Sequence, residues 1–313
     1  MHQIMPDLLS GKLRTRIAPT PSGFIHAGNA FSVLLTWALA RKYQGEIVLR
    51  IDDLDASRSR KEYVQDIFDS LDWLGINWDE GPKNAVEFEK EYSQTLRIPL
   101  YTDYLSKFTE ANFVFACTCS RSDLQDSEIY PGHCLHKNIS LQGEEVSWRI
   151  KIPDSALVHF NDLRAGKVRY SAAQMGGAFI IRRKDKIPAY QIASLADDIA
   201  GNINFIVRGE DLLASTASQI YLAGLVNSES FSSVLFLHHP LTKQGDGLKL
   251  SKSKGANSLK NMREHSIQAA QIWNWFLSQF GYAGPAISKA EEIIDWIDYD
   301  KLKKLDAQGF HYQ

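Results

Sequence analysis

The first fifty or so residues constrain the fold of this chain more than any other stretch. Leu13 to Ala18 is a short, apolar-alternating run that reads as a strand, and it ends in a dense turn, Pro19-Thr20-Pro21-Ser22-Gly23. Ala27 to Tyr43 follows, with Ala30, Leu34, Trp37 and Leu39 among its apolar positions, the pattern of a largely buried helix. Gly45 stops that helix. Glu46 to Ile51 is a second strand, after which come the polar Asp52-Asp53-Leu54-Asp55 and a helix over about 61–74. Strand, helix, strand, helix at this pitch specifies an α/β fold: parallel strands joined by crossover helices. Ligands of such sheets sit at the carboxyl ends of the strands. The Pro-rich turn and the aspartates both fall there.

The middle of the chain differs. Residues 112–177 hold all three cysteines and short strand-like pieces such as Val146 to Ile152, and they read as an insertion. The α/β pattern resumes at Ala178 to Ile181. A strand over 203–207 ends in Arg208-Gly209-Glu210-Asp211, a helix spans about 214–225, and a strand over 234–237 leads to a Gly- and Lys-rich loop at 243–256. The predicted organisation is a first half of the α/β domain at 1–111, the insertion at 112–177, the second half at 178–256 and a helical tail at 257–313.

Composition narrows the class. The 313 residues carry 35 Lys+Arg against 37 Asp+Glu, a net charge of −2, which argues against indiscriminate nucleic-acid binding while leaving room for a local basic groove. The longest apolar stretch, Ala30 to Ala40, has 11 residues; a membrane-spanning helix needs about 20. The N-terminal residues have no apolar core of a secretory signal, and three cysteines make no disulfide framework. The expectation is a soluble, cytoplasmic, monomeric protein.

Two loops carry phosphate chemistry. His26-Ala27-Gly28-Asn29 lies where a strand passes into a helix N-terminus, whose N–H groups and dipole favour a phosphate. Gly28 would let a nucleotide approach the backbone closely, and His26 could donate to a phosphate oxygen as charge develops. A Pro/Gly turn with a capping histidine accounts for the same residues. Lys249-Leu250-Ser251-Lys252-Ser253-Lys254-Gly255 places three lysines on a Gly-flanked loop able to close over a polyphosphate, although a solvated basic loop would look alike. A plain nicotinamide-type nucleotide fold is excluded, because no G-x-G-x-x-G follows the first strand.

The two loops together resemble the two signature motifs of class I aminoacyl-tRNA synthetases. Arg16 to Gly23, Leu49 to Asp55 with Arg58, and Val207 to Leu212 are similar to blocks of the glutamyl branch, in order and at similar spacing. The resemblance implies a Rossmann-like parallel-sheet catalytic domain, ATP with Mg2+ as substrate, and His26 and Lys252 as catalytic residues. It implies ATP binding by His26, Gly28, Asn29, Lys249, Ser251 and Lys252. It implies glutamate binding by Arg16, Ile17, Ala18, Pro19, Thr20, Asp52, Tyr190 and Arg208. Asp52 stands where the bacterial glutamyl pattern has Glu, one methylene longer, and in this it resembles glutaminyl and archaeal-type glutamyl enzymes.

Only 60 residues follow Ser253, whereas ordinary glutamyl-tRNA synthetases carry a large anticodon-binding region there. The short architecture resembles the glutamyl-queuosine tRNA(Asp) synthetases. These activate glutamate without tRNA and transfer it to the queuosine base in the anticodon of tRNA(Asp). Two other readings fit: a paralogue acylating another acceptor, or a silent RNA-binding relic, the latter hard to square with retained lysines.

Cys117-x-Cys119 and Cys134 offer three thiolates to one Zn2+, with a fourth ligand to complete a tetrahedron. Zinc chemistry nominates His133 or His136. The resemblance nominates Tyr130, since Cys-x-Cys, a gap of ten or eleven residues, Tyr, three residues and Cys is the pattern of the glutamyl-queuosine enzymes. The expected set is Cys117, Cys119, Tyr130 and Cys134, with His133 as the alternative fourth ligand and a structural role for the metal.

Overall fold

The computed structural model describes residues 11–120, 122–124, 127, 129–241 and 258–305. Along the chain run β1 (Arg14–Ile17), α1 (Ala27–Lys42), β2 (Glu46–Leu49), α2 (Lys61–Trp73), α3 (Ala85–Glu87), α4 (Ile98–Glu110), β3 (Val114–Cys117) and β4 (Ser147–Ile150). Then come β5 (Leu157–Asp162), β6 (Gly166–Ser171), β7 (Ile180–Arg182), α5 (Tyr190–Ala200), β8 (Phe205–Gly209), α6 (Leu213–Leu225) and α7 (Glu229–Ser232). Last are β9 (Leu235–His239), α8 (Leu259–Glu264), α9 (Ala269–Ser278), α10 (Glu291–Trp296) and α11 (Tyr299–Lys304). The chain forms two compact units. One comprises Met1–Ser93, Ile203–Glu210 and Val234–Gln313; the other comprises Gln94–Asn202 and Asp211–Ser233.

The first unit is the parallel α/β body that the sequence predicts. β1 and β2 pair in parallel, Arg14 opposite Glu46 through Ile17 opposite Leu49, with α1 as their crossover. β8 and β9 form a second parallel pair. Asn204 joins the two pairs: its N–H donates to the Arg14 carbonyl at 3.0 Å and its side-chain oxygen accepts the Arg14 N–H at 2.8 Å. At the other end Arg16 Nη1 donates to the Val207 carbonyl at 3.3 Å, so β1 and β8 run in the same direction. α1 is apolar nearly all round because it is enclosed, with Ala30, Phe31 and every residue from Val33 to Ala40 buried. The tail helices complete this core. Phe31 of α1 stacks on Phe280 (ring centroids 5.8 Å apart) and touches Phe276 (5.0 Å), and Trp273 donates its indole N–H to the Leu74 carbonyl at 3.1 Å. Gly81 shows how tightly the loop before α3 hugs β2: at φ +107° a Cβ there would lie 2.2 Å from the Leu49 carbonyl oxygen.

The second unit holds an antiparallel sheet in the order β3-β4-β7 and the antiparallel hairpin β5–β6. The strand at 180–182, where the sequence suggests that the parallel pattern resumes, pairs antiparallel with β4 instead. Strand direction depends on the partner, which is remote in sequence. Buried Asp197 on α5 binds the segment leading into α4, accepting from Arg97 Nε (2.6 Å), Gln94 Nε2 (2.9 Å) and the Tyr101 hydroxyl (2.8 Å). Among the described residues no helix is long and apolar enough to cross a membrane.

Candidate active site

His26 is the N-cap of α1. Its backbone is extended (φ −112°, ψ 170°), and its Nδ1 accepts the N–H groups of Gly28 (3.1 Å) and Asn29 (3.3 Å). The Asn29 side-chain oxygen accepts the His26 N–H at 3.2 Å, closing a reciprocal capping box. Two consequences follow. The helix N–H groups that the sequence offers to a phosphate are in part satisfied by the imidazole itself. With Nδ1 an acceptor, the neutral ring carries its proton on Nε2, the outer nitrogen, and presents it as a donor. Desolvation lowers the His26 pKa from its ordinary value, which keeps the ring in that neutral form. The capping and phosphate-donor readings of His26 are therefore compatible: one nitrogen caps, the other faces outward.

The carboxyl ends of the parallel strands gather the predicted glutamate ligands of this unit. Arg16 and Arg208 are buried on β1 and β8, and the Arg16 bond to the Val207 carbonyl brings the two strand ends together. Asp52 N–H donates to the Pro19 carbonyl at 2.9 Å, which sets the aspartate against segment 16–20. Its carboxylate is 7% exposed and is forked by Arg50, with Nε to Oδ1 at 2.6 Å and Nη2 to Oδ2 at 3.2 Å. A pocket lined by Thr20, Pro21, Ser22, Asp52, Asp53, Asp55, Arg58 and Ser59 opens beside this pair. Tyr190 is the first residue of α5 in the other unit and is 40% exposed.

At the end of β9, His239 donates from Nδ1 to the Pro240 carbonyl (2.8 Å), so its Nε2 accepts the Ser32 hydroxyl at 2.6 Å and ties the strand to α1. Lys249, Ser251 and Lys252 lie outside the described residues. Ser258 forms an isolated antiparallel bridge with His26, and Leu259 N–H donates to the Ile25 carbonyl at 2.7 Å.

The cysteine cluster is built on the end of β3 in the second unit. The three Sγ atoms lie within 4.8 Å of one another, with Cys119 and Cys134 at 3.6 Å. A tetrahedral zinc with Zn–S bonds of about 2.3 Å separates its thiolates by roughly 3.8 Å, so the donor set fits zinc. The Tyr130 hydroxyl lies 3.5 Å from Cys117 Sγ and accepts the Cys134 N–H at 2.9 Å. His133 is exposed and packs at a steep angle against the Tyr130 ring, with centroids 6.5 Å apart. Arg149 lies over the Tyr130 ring at 3.9 Å, and Gly177, at φ +68°, lets the backbone turn tightly against Tyr130. Burial pushes the Cys119 thiol up to about 11. Burial acts the same way on Cys134, but hydrogen bonds from Thr118 N–H, Cys119 and Tyr130 outweigh it and bring that thiol down to about 6.

Arg50, Asp66, Arg149 and Arg263 also support these sites, and no motif in the sequence singles them out. Only Arg50 carried a usable signal: strand alternation puts residues 50 and 52 on one face.

A family model for "tRNA synthetases class I (E and Q), catalytic domain" matches residues 12–308. The glutamate–tRNA ligase of Prochlorococcus marinus (strain NATL2A) is 32% identical over 337 residues, covering 96% of this chain and 68% of the relative. Glutamate–tRNA ligase 2 of Syntrophus aciditrophicus (strain SB) is 32% identical over 317 residues, covering 95% and 64%. The chain thus spans about two thirds of the length of these curated relatives. A solved glutamate-tRNA synthetase from Elizabethkingia anophelis shares the fold, with a TM-score of 0.75 at 21% identity over 94% of this chain and 67% of that one.

Proposed function

This chain belongs to the family of class I tRNA synthetases for glutamate and glutamine, which are ATP-dependent ligases, and from that premise we propose that it activates glutamate with ATP and passes the glutamyl group to the queuosine base of tRNA(Asp). For the first half-reaction, the supporting geometry is the gathering of Arg16, Arg208 and Asp52 at the carboxyl ends of one set of parallel strands. A substrate glutamate needs cations for its side-chain carboxylate and an anion for its ammonium. Arg16 and Arg208 supply the first and the Asp52 carboxylate the second. Residues 17–20 form the backbone wall.

In the proposed reaction the glutamate α-carboxylate attacks the α-phosphorus of Mg2+-bound ATP. A P–O bond forms, the bond to the β-phosphate bridging oxygen breaks, and pyrophosphate leaves. His26 Nε2–H donates to the phosphate as charge builds. Lys249, Ser251 and Lys252 hold the polyphosphate, and Gly28 and Asn29 shape the nucleotide side of α1. Positioning and electrostatic stabilisation account for most of the rate. A hydroxyl of the queuosine cyclopentene ring then attacks the adenylate carbonyl and gives up its proton, an ester forms and AMP departs. Zinc held by Cys117, Cys119, Cys134 and Tyr130 would cross-link this loop-rich segment and takes part in no step.

The observation that carries the queuosine acceptor is the Tyr130 hydroxyl turned onto the cysteine cluster, because that ligand pattern is the one that resembles the glutamyl-queuosine enzymes. The relatives favour a second reading, ligation of glutamate to an ordinary tRNA. The deciding experiment is ATP–pyrophosphate exchange with glutamate and with glutamine, each without RNA, followed by labelled-glutamate transfer to tRNA(Asp) with and without queuosine and to tRNA(Glu). Transfer confined to queuosine-bearing tRNA(Asp) supports the proposal. Exchange only with glutamine, or only when RNA is added, rejects it. The enzyme is proposed to act as a cytoplasmic monomer.

A further inference from the structure

Three elements of the first unit meet at the backbone that precedes His26. Asp66 of α2 is 3% exposed, and one of its oxygens accepts the Ile25 N–H at 2.9 Å. Its other oxygen accepts Nη2 of Arg263, from α8, at 2.6 Å, and Nη1 of the same guanidinium donates to Ser70 Oγ at 2.7 Å. A second layer repeats the arrangement: Phe24 packs edge-on against Tyr63 of α2 (4.9 Å), and Lys260 of α8 lies over the Phe24 ring at 4.3 Å. Tyr63, Asp66 and Ser70 lie on one face of α2, and Lys260 and Arg263 on one face of α8, at helical spacing. Both hydrogen-bonding groups of Ile25 are thereby fixed, the N–H by Asp66 and the carbonyl by Leu259.

We propose that Asp66, with Arg263 as its counter-ion, is a positioning residue for His26: it fixes the extended peptide from which the imidazole caps α1 and aims its outer nitrogen. The inference rests on the proposed activation of glutamate. Neither residue touches the predicted glutamate ligands, so the clamp acts on the phosphate step and leaves amino-acid binding alone. Arg263 follows the lysine-rich segment in the chain, so the clamp also anchors the backbone that leaves that segment to the peptide that enters the first motif.

The test is a double-mutant cycle on pyrophosphate exchange, combined with nitrogen NMR of His26. Asp66→Asn keeps one acceptor but cannot serve both the Ile25 N–H and the guanidinium. It is expected to lower kcat at least about tenfold with KM for glutamate within about twofold, and to add less than about twofold once His26 is already alanine. Arg263→Lys keeps the charge, loses the bond to Ser70, and should give a smaller loss with the same split; it serves as the readout should Asp66→Asn fail to melt cooperatively. Equal losses with and without His26, or a rise in KM at unchanged kcat, would overturn the clamp. Should the wild-type protein show no exchange at all, the functional reading fails, and the clamp is judged by NMR alone. It then predicts the Nε2–H tautomer of His26 in wild type and a disturbed ring in Asp66→Asn, and identical His26 resonances in the two proteins would reject it.

Discussion

His26 and Asn29 hold each other: the imidazole Nδ1 accepts the Asn29 N–H at 3.3 Å, and the Asn29 side chain accepts the His26 N–H at 3.2 Å. The structural and chemical duties of His26 therefore separate by nitrogen, and so do the effects of substituting it. His26→Ala loses both and should lower kcat for pyrophosphate exchange roughly a hundredfold and stability by about 1 kcal/mol. His26→Asn supplies a good N-cap without the outer donor, so urea denaturation should show stability near wild type while the exchange rate stays low.

The same geometry sets a pH dependence. Desolvation depresses the folded-state pKa of His26 below its unfolded value, so the unfolded chain takes up a proton first as pH falls. The contribution of His26 to stability is complete above about 6.5 and is lost as pH falls through the folded-state value, when Nδ1 is protonated and the cap breaks. Carbon NMR should find the His26 ring titrating below an exposed histidine in the same protein, and exchange activity should not vary with this group between pH 7 and 8.

Asp52 is held by Arg50 through both carboxylate oxygens. Asp52→Asn removes the anion for the substrate ammonium and should raise KM for glutamate roughly 10- to 100-fold, the worth of a charge-assisted hydrogen bond. Arg50→Met should act differently, removing the guanidinium that forks this buried carboxylate and destabilising the fold by about 3–5 kcal/mol. Steady-state kinetics and melting curves distinguish the two.

How much of this was legible in the sequence depended on the range of the signal. β1, α1 and β2 were legible because periodicity and the Pro-rich turn are local. The nearness of Cys117 to Cys119 follows from two-residue spacing. The preference for Tyr130 over His133 comes from the resemblance alone, since two side chains three residues apart in a loop carry no periodic signal; in the structure Tyr130 is buried and His133 exposed. Asp66 and Arg263 are 197 residues apart and lie on short amphipathic faces, so nothing local announces their pairing. The antiparallel pairing of β7 was hidden for the same reason.

Lys252 lies outside the described residues, and its predicted role rests on chemistry alone. A leaving pyrophosphate gains most from a point charge that meets it in the transition state. Lys252→Ala should lower kcat for exchange at least about tenfold, near 1.4 kcal/mol of barrier, with KM for glutamate unchanged. An unchanged exchange rate would remove Lys252 from the mechanism.

The cysteine cluster predicts a metal count. Protein purified without chelators should carry about one zinc per chain by atomic emission, and a strong chelator should lower its melting temperature, because binding energy at a structural site is folding energy. Cys134→Ser should abolish retention. Tyr130→Phe removes the hydroxyl that lies 3.5 Å from Cys117 Sγ and accepts the Cys134 N–H, so it should release zinc to a chelator faster than wild type, while His133→Ala should not. If His133→Ala lost the metal and Tyr130→Phe kept it, the fourth ligand would be the histidine, and the resemblance that points to queuosine would lose its main support.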